Sequence, residues 1–269
     1  MDCRLYPKGL VLAGLLVATL SQLTGQAQAQ PATTTAQTVK QGQALAQTYQ
    51  QGLELTTKRT QELTNQQWRD SLTVLNQQIA TQPWSTDLHL RKAAVNLELQ
   101  QWQYAIEEYG LVLQHQLHNP AALFYRAYAA THMRYYDVAR RDYEAFLSLF
   151  PTHMEARLSY AYVLQQLGHN IEALDELNAV VEMKPDSAVA YAPRAALERE
   201  MKQYEAALYD WQQATRLDSK NADYVASQVD LLLFLKRRQE ALRVLDAAVQ
   251  RGIPQGLLHQ WYERCRRTK

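Results

Sequence analysis

Residues 124–143 read FYRAYAATHMRYYDVARRDY, with five tyrosines and four arginines. Tyrosine interleaved with arginine suits three roles: a surface for nucleic acid, a groove for a peptide, or ordinary helix packing. The alanines in the stretch show which one dominates once it is laid over the rest of the chain. Ala127 belongs to the column Ala93, Ala127, Ala161, Ala195 and Val229, stepping by 34 residues. Ala139 belongs to a second column of the same step, Ala105, Ala139, Ala173, Ala207 and Ala241. Tyr143 falls in a third with Tyr109, Leu177, Trp211 and Leu245, and Phe146 in a fourth with Val112, Val180, Ala214 and Ala248. Tyr136 falls in a fifth with Trp68, Trp102, Asn170, Tyr204 and Arg238, aromatic in four of six places. Proline closes units at Pro83, Pro151 and Pro185, where Leu117 and Ser219 hold the matching places in the other two. A period held over five units marks a repeat array.

The columns have a physical cause. Two antiparallel helices close together only where a side chain is small, so Ala127 and Ala139 let them meet. Tyr143 and Phe146 then fill the space toward the next unit. No single unit buries its own apolar face, so units must stack. Proline ends a second helix because it cannot continue an interior turn.

On these residues the chain resembles the tetratricopeptide-repeat family, whose unit is a 34-residue helix–turn–helix. The resemblance covers Thr86 to about Gln255. Gly52 to Ser85 matches only in its second half, through Trp68, Leu75 and Pro83, because Arg59 stands where other units hold alanine or valine. That first segment is either a divergent repeat or a separate cap. The resemblance implies an all-α, right-handed superhelical solenoid of antiparallel helix pairs with a C-terminal capping helix. The expected boundaries are a degenerate first unit at 43–85, repeats at 86–119, 120–153, 154–187, 188–221 and 222–255, and a cap at 256–269. In the cap, Leu257, Trp261 and Cys265, with Leu258 and Tyr262, read as one apolar stripe. Cys265 is then a half-buried capping residue or, alternatively, a reactive thiol.

Residues 1–29 read as a signal peptide: Arg4 and Lys8, the apolar run VLAGLLVATL, then the small-residue pattern Ala27-Gln28-Ala29. The alternative is an uncleaved anchor, although the run is shorter than the ~20 residues a spanning helix needs. Residues 30–42, rich in Gln, Thr and Ala, read as a flexible tail. The expectation is an exported protein, periplasmic, not inserted in the membrane after cleavage. Cleavage takes the chain from 28 basic and 27 acidic residues to 26 of each. A neutral chain argues against nucleic acid as a partner, because phosphate neutralisation carries most of that affinity. With Cys3 removed, Cys265 has no intrachain disulfide partner.

Lys92 and Glu108, Arg126 and Asp142, and Arg194 and Asp210 are each sixteen residues apart. The spacing predicts ion pairs between the two helices of three units; solvated charges are the alternative. No motif for catalysis is present, so no catalytic residue and no cofactor is expected, and the chain reads as a non-enzyme. His115-x-x-His118 with His153 is the nearest approach to a metal set. No acid or cysteine completes it, and no metal site is expected.

In tetratricopeptide-repeat proteins the first helix of each pair lines a concave groove. The resemblance therefore implies groove positions that include Phe124, Tyr128 and His132, then Glu155, Leu158 and Tyr162, then Val189 and Arg199, then Asp230. A lysine–asparagine clamp for carboxylates is missing, since Leu90 with Ala94, Phe124 with Tyr128, and Leu158 with Tyr162 hold its places. The expected partner-binding residues are Phe124, Tyr125, Tyr128, His132, Tyr162 and Arg199, and the expected partner is a protein or peptide segment. A structural role in an envelope complex, through the convex face and the ends, is the alternative.

Overall fold

The computed structural model describes residues 65–267. The expected signal segment, the tail and the start of the 43–85 unit lie outside the described residues. Among the described residues there are twelve helices and no strand. They are α1 (Asn65–Thr81), α2 (Thr86–Glu98), α3 (Trp102–His115), α4 (Pro120–His132), α5 (Tyr136–Leu149) and α6 (Met154–Gln166). Then follow α7 (Asn170–Met183), α8 (Ala188–Glu200), α9 (Tyr204–Leu217), α10 (Ala222–Phe234), α11 (Arg238–Gln250) and α12 (Gln255–Arg267). The chain forms two compact units, one ending at Ala156 and one beginning at Arg157. The boundary falls inside α6.

In the first unit α1 lies on α2, which pairs with α3, and α3 passes the chain to the α4–α5 hairpin. Trp68 and Leu75 of α1 pack with Leu88 and Val95 of α2, flanked by Leu72, Ile79 and Leu99. In the second unit α7 lies on α8, α8 pairs with α9, α10 pairs with α11, and α12 covers both α10 and α11. Ala105, Ala139, Ala173, Ala207 and Ala241 are all completely buried, as are Ala93, Ala127, Ala195 and Val229.

Two further columns control where helices begin and stop. Ser85, Asn119, His153, Ser187 and Asn221 precede the first helices at the same 34-residue step. Asn119 accepts from the Ala122 amide at 3.0 Å, and Asn221 from the amides of Asp223 and Tyr224 at 3.0 and 3.3 Å. Such caps satisfy amides that the helix leaves unpaired. Each hairpin turn contains a left-handed residue: Gln100, Arg134, Gly168, Lys202 and Lys236. The next amide in each turn donates back to a carbonyl five residues earlier, from Gln101 to Asn96, Tyr135 to Ala130, His169 to Leu164, Gln203 to Glu198 and Arg237 to Leu232. That is the Schellman stop, and glycine suits its left-handed position best. Only Gly168 meets the preference.

The three expected ion pairs form. Lys92 Nζ lies 2.6 Å from Glu108, Arg126 grips Asp142 with two bonds of 2.7 Å, and Arg194 grips Asp210 at 2.6 and 2.9 Å. Glu176 extends the acid column to four members. In its repeat Tyr160 takes the usual base position, and Arg157, one helical turn earlier, pairs with Glu176 instead. His89 occupies that earlier position in the first repeat and shares Glu108 with Lys92, Nδ1 to Oε2 at 2.5 Å.

The C-terminal cap differs from expectation in one residue. Leu258 and Cys265 are fully buried, whereas Leu257 is 60% exposed. The packed stripe therefore runs Leu258, Trp261, Tyr262 and Cys265, rotated by one position. Polar contacts fix the rotation: Trp261 Nε1 donates to Asp230 at 2.9 Å, the Tyr262 hydroxyl to Asp246 at 2.8 Å, and Arg264 also pairs with Asp230. Asp230 is thus held by α12 and is not an open groove residue. Burial pushes the Cys265 thiol up, which disfavours the reactive thiolate.

Two outcomes follow. Asp210 is almost wholly buried, so Asp210→Ala strands Arg194 and should cost about 3–5 kcal/mol, whereas the double change Arg194→Met with Asp210→Leu should recover most of it. No atom lies within 4 Å of a Cβ added at Gly168, where φ is +82°, so Gly168→Ala should cost about 1 kcal/mol of backbone strain alone. Urea unfolding of the three variants measures both.

Candidate functional site

The α4 helix carries four of the six expected binding residues, and the structure sorts them. Phe124 is buried, its ring centre 5.2 Å from Phe146, 5.4 Å from His153 and 6.0 Å from Tyr143. Its expected place on the groove surface is corrected: it fills the joint between α4 and α5. Tyr125 is half-buried and lies against Tyr109 of α3, ring centres 6.1 Å apart and nearly parallel. Tyr128 is half-buried and His132 is exposed.

Tyr128 and His132 meet Trp102, the first residue of α3. The Trp102 and His132 rings stack at 4.1 Å, only 4° from parallel. Tyr128 stands edge-on to both, 4.7 Å from His132 and 6.0 Å from Trp102. Trp102 belongs to a framework column, and nothing in that column foretold its second role. Offset and edge-on ring contacts of this kind hold aromatic groups in fixed orientations.

Two carboxylates complete the site. Glu98 ends α2 and Glu155 lies in the first turn of α6, still within the first unit. Tyr128 lies within the field of both. Desolvation first, then Glu155 and Glu98, push its hydroxyl up to about 12. Burial pushes Glu155 up to about 7 and raises Glu98 as well. Neither acid has a hydrogen bond or an ion pair to a described residue. Desolvation beside the other rings lowers His132 from its ordinary value.

His153, the third member of the sparse histidine set, has another task. Its Nδ1 accepts from the Ala156 amide at 3.1 Å as the cap of α6, and burial pushes its imidazolium down to about 4. A neutral ring is what an accepting cap requires. His115 stands edge-on to Trp84 at 5.3 Å.

Tyr162 and Arg199 belong to the second unit. Tyr162 is half-buried on α6, and Arg199 is exposed on α8. Gln165 of α6 donates to Glu200 of α8 at 2.7 Å. Beside Arg199, Glu198 is buried and pushed up to about 7, chiefly by burial and then by Asp210, with Arg194 opposing.

No protein-family model matches the sequence, and no curated protein matches it. Solved structures do match. MamA from Desulfovibrio magneticus superposes with a TM-score of 0.57 at 21% identity, over 61% of this chain and 93% of that one. YrrB, a TPR protein with an unusual peptide-binding site, gives 0.55 at 18% identity, over 69% of this chain and 96% of that one. A tetratricopeptide-repeat protein from Parabacteroides merdae gives 0.61 at 17% identity, over 83% and 90%. The fold is the tetratricopeptide-repeat fold. At these identities the likeness concerns the fold alone.

The raised carboxylate has a measurable consequence. Glu155 titrates near 7 when folded against an ordinary 4.5. The folded state therefore holds its proton more tightly, and its contribution to stability is lost as pH rises from about 4.5 through about 7. Glu155→Gln should stabilise the protein by about 1–2 kcal/mol at pH 8 and change little at pH 4, as read by urea melts at the two pH values.

Proposed function

We propose that the chain is an exported, non-enzymatic protein-interaction module that holds a partner segment on the aromatic rings of α4 and the start of α3. The observation that carries this reading is the Trp102–Tyr128–His132 cluster. The hairpin is closed by Ala127, Ala139 and Phe124, and nothing in that packing needs a tyrosine at 128 or a histidine at 132. Aromatic side chains offer large contact area at low entropic cost, which suits peptide capture. Tyr162 and Arg199, the other two expected binding residues, belong to the second unit and would act there by themselves. The peptide-binding site of YrrB supports this mode of action for the fold. Export rests on the sequence of residues 1–29, and the periplasm is the compartment we assign to an exported repeat protein of this kind. No helix among the described residues is long and apolar enough to cross a membrane.

The chain beginning at residue 30, immobilised and exposed to its native envelope extract, should retain a partner that Tyr128→Ala retains at least tenfold less well. The variant should keep its helical circular dichroism and lose no more than about 1–2 kcal/mol in stability, the cost of trimming a partly exposed ring. Equal retention by the two proteins would remove these rings from the function.

A further inference from the structure

We propose that the cluster receives the cationic head of a lysine or arginine side chain carried by a partner polypeptide, seated on Trp102, Tyr128 and His132 with Glu98 and Glu155 as its counter-charges. This rests on the groove reading above and adds the chemistry of the occupant.

The first support is charge. Glu155 and Glu98 both act electrostatically on the Tyr128 hydroxyl, and no described residue pairs with either acid. The two buried acids of the same unit are both matched: Glu108 has both His89 and Lys92, and Asp142 has both arms of Arg126. The second support is the rings. The faces of tryptophan and tyrosine attract a cation through the ring quadrupole, and tryptophan does so best. His132 competes weakly, because desolvation disfavours its charged form. The third is the cost. Glu155 is partly withdrawn from water and unpaired, so its charged form destabilises the free protein as pH rises through about 7, and an arriving cation removes that cost on binding. A metal ion suits the site poorly: among the described residues no three metal-ligating side chains converge, whereas a guanidinium or ammonium needs only two acceptors and a ring face. An acidic segment is disfavoured by the same charges.

The test follows the indole N–H resonance of Trp102, assigned by Trp102→Phe, in the chain beginning at residue 30. The probes are capped peptides Gly-Ser-Ala-Xaa-Ala-Ser-Gly with arginine, norleucine or glutamate at the centre, and spermidine. The arginine peptide should move the resonance saturably with a Kd of about 1 mM or tighter, and the norleucine and glutamate peptides should bind at least tenfold more weakly. Glu98→Gln and Glu155→Gln should each weaken the arginine peptide about three- to tenfold, an effect that shrinks in high salt. The proposal is overturned if no peptide binds, if norleucine binds like arginine, or if both glutamine variants bind like the parent. Spermidine binding as tightly as the arginine peptide would overturn a polypeptide as the occupant. Failure here with Tyr128→Ala still losing its envelope partner leaves the groove in place and removes only the cation; loss of neither removes both.

Discussion

Two helices approach closely only where neither carries bulk at the crossing, and the rest of this structure depends on that condition. It is met by two alanine columns, one on each helix of the hairpin, both buried throughout. Once the backbones are close, the larger residues have fixed places to go. Tyr109, Tyr143 and Trp211 are buried at the matching place of three second helices, each one hairpin after the last or a multiple of that step. The acid column follows from the same closeness. Glu108, Asp142, Glu176 and Asp210 each sit one residue before that larger side chain, near enough to the first helix for a base to reach them. In the last repeat the column ends in Val244, with Gln228 at the base position. That hairpin gains its polar ties from outside itself, through Asp230 and Asp246 to the terminal helix.

The columns were legible in the sequence because residues in the same environment recur at a fixed step. What recurs in environment but not in residue type was hidden. The left-handed turn residue is glycine once and otherwise glutamine, arginine or lysine, so no column announced the Schellman stop. The Arg157–Glu176 pair was missed because the base had moved by one turn, which keeps the contact and breaks the spacing. Leu257 and Leu258 are adjacent on a helix with apolar partners on both sides of each, and periodicity alone cannot choose between them; Asp230 and Asp246 make the choice. Phe124 failed for a related reason. The first helix of a repeat has both an open face and a hairpin face, and a single large ring near their border gives no sign of which it joins.

The candidate site was legible only in half. Tyr128 and His132 stood out because the packing had no use for them. Trp102 did not, since its framework column already accounted for it. Glu98 and Glu155 come from different repeats at unrelated positions within the repeat, so only the fold brings them to the same tyrosine.

The contrast among acids in the first unit carries the functional meaning. Glu108 is buried and engaged by two basic groups, and Asp142 is buried and gripped by both arms of one arginine. These acids are part of the frame. Glu155 is also partly withdrawn from water, yet it meets no cation among the described residues, and burial raises its proton affinity accordingly. The frame supplies a base to each acid of its own column, shifting one arginine by a turn to do so, whereas Glu155 lies outside that column and acts electrostatically on Tyr128 of the ring cluster. Unmatched charge beside unneeded aromatic surface costs stability in the free protein, and such costs are found where a site awaits something that supplies the missing partner.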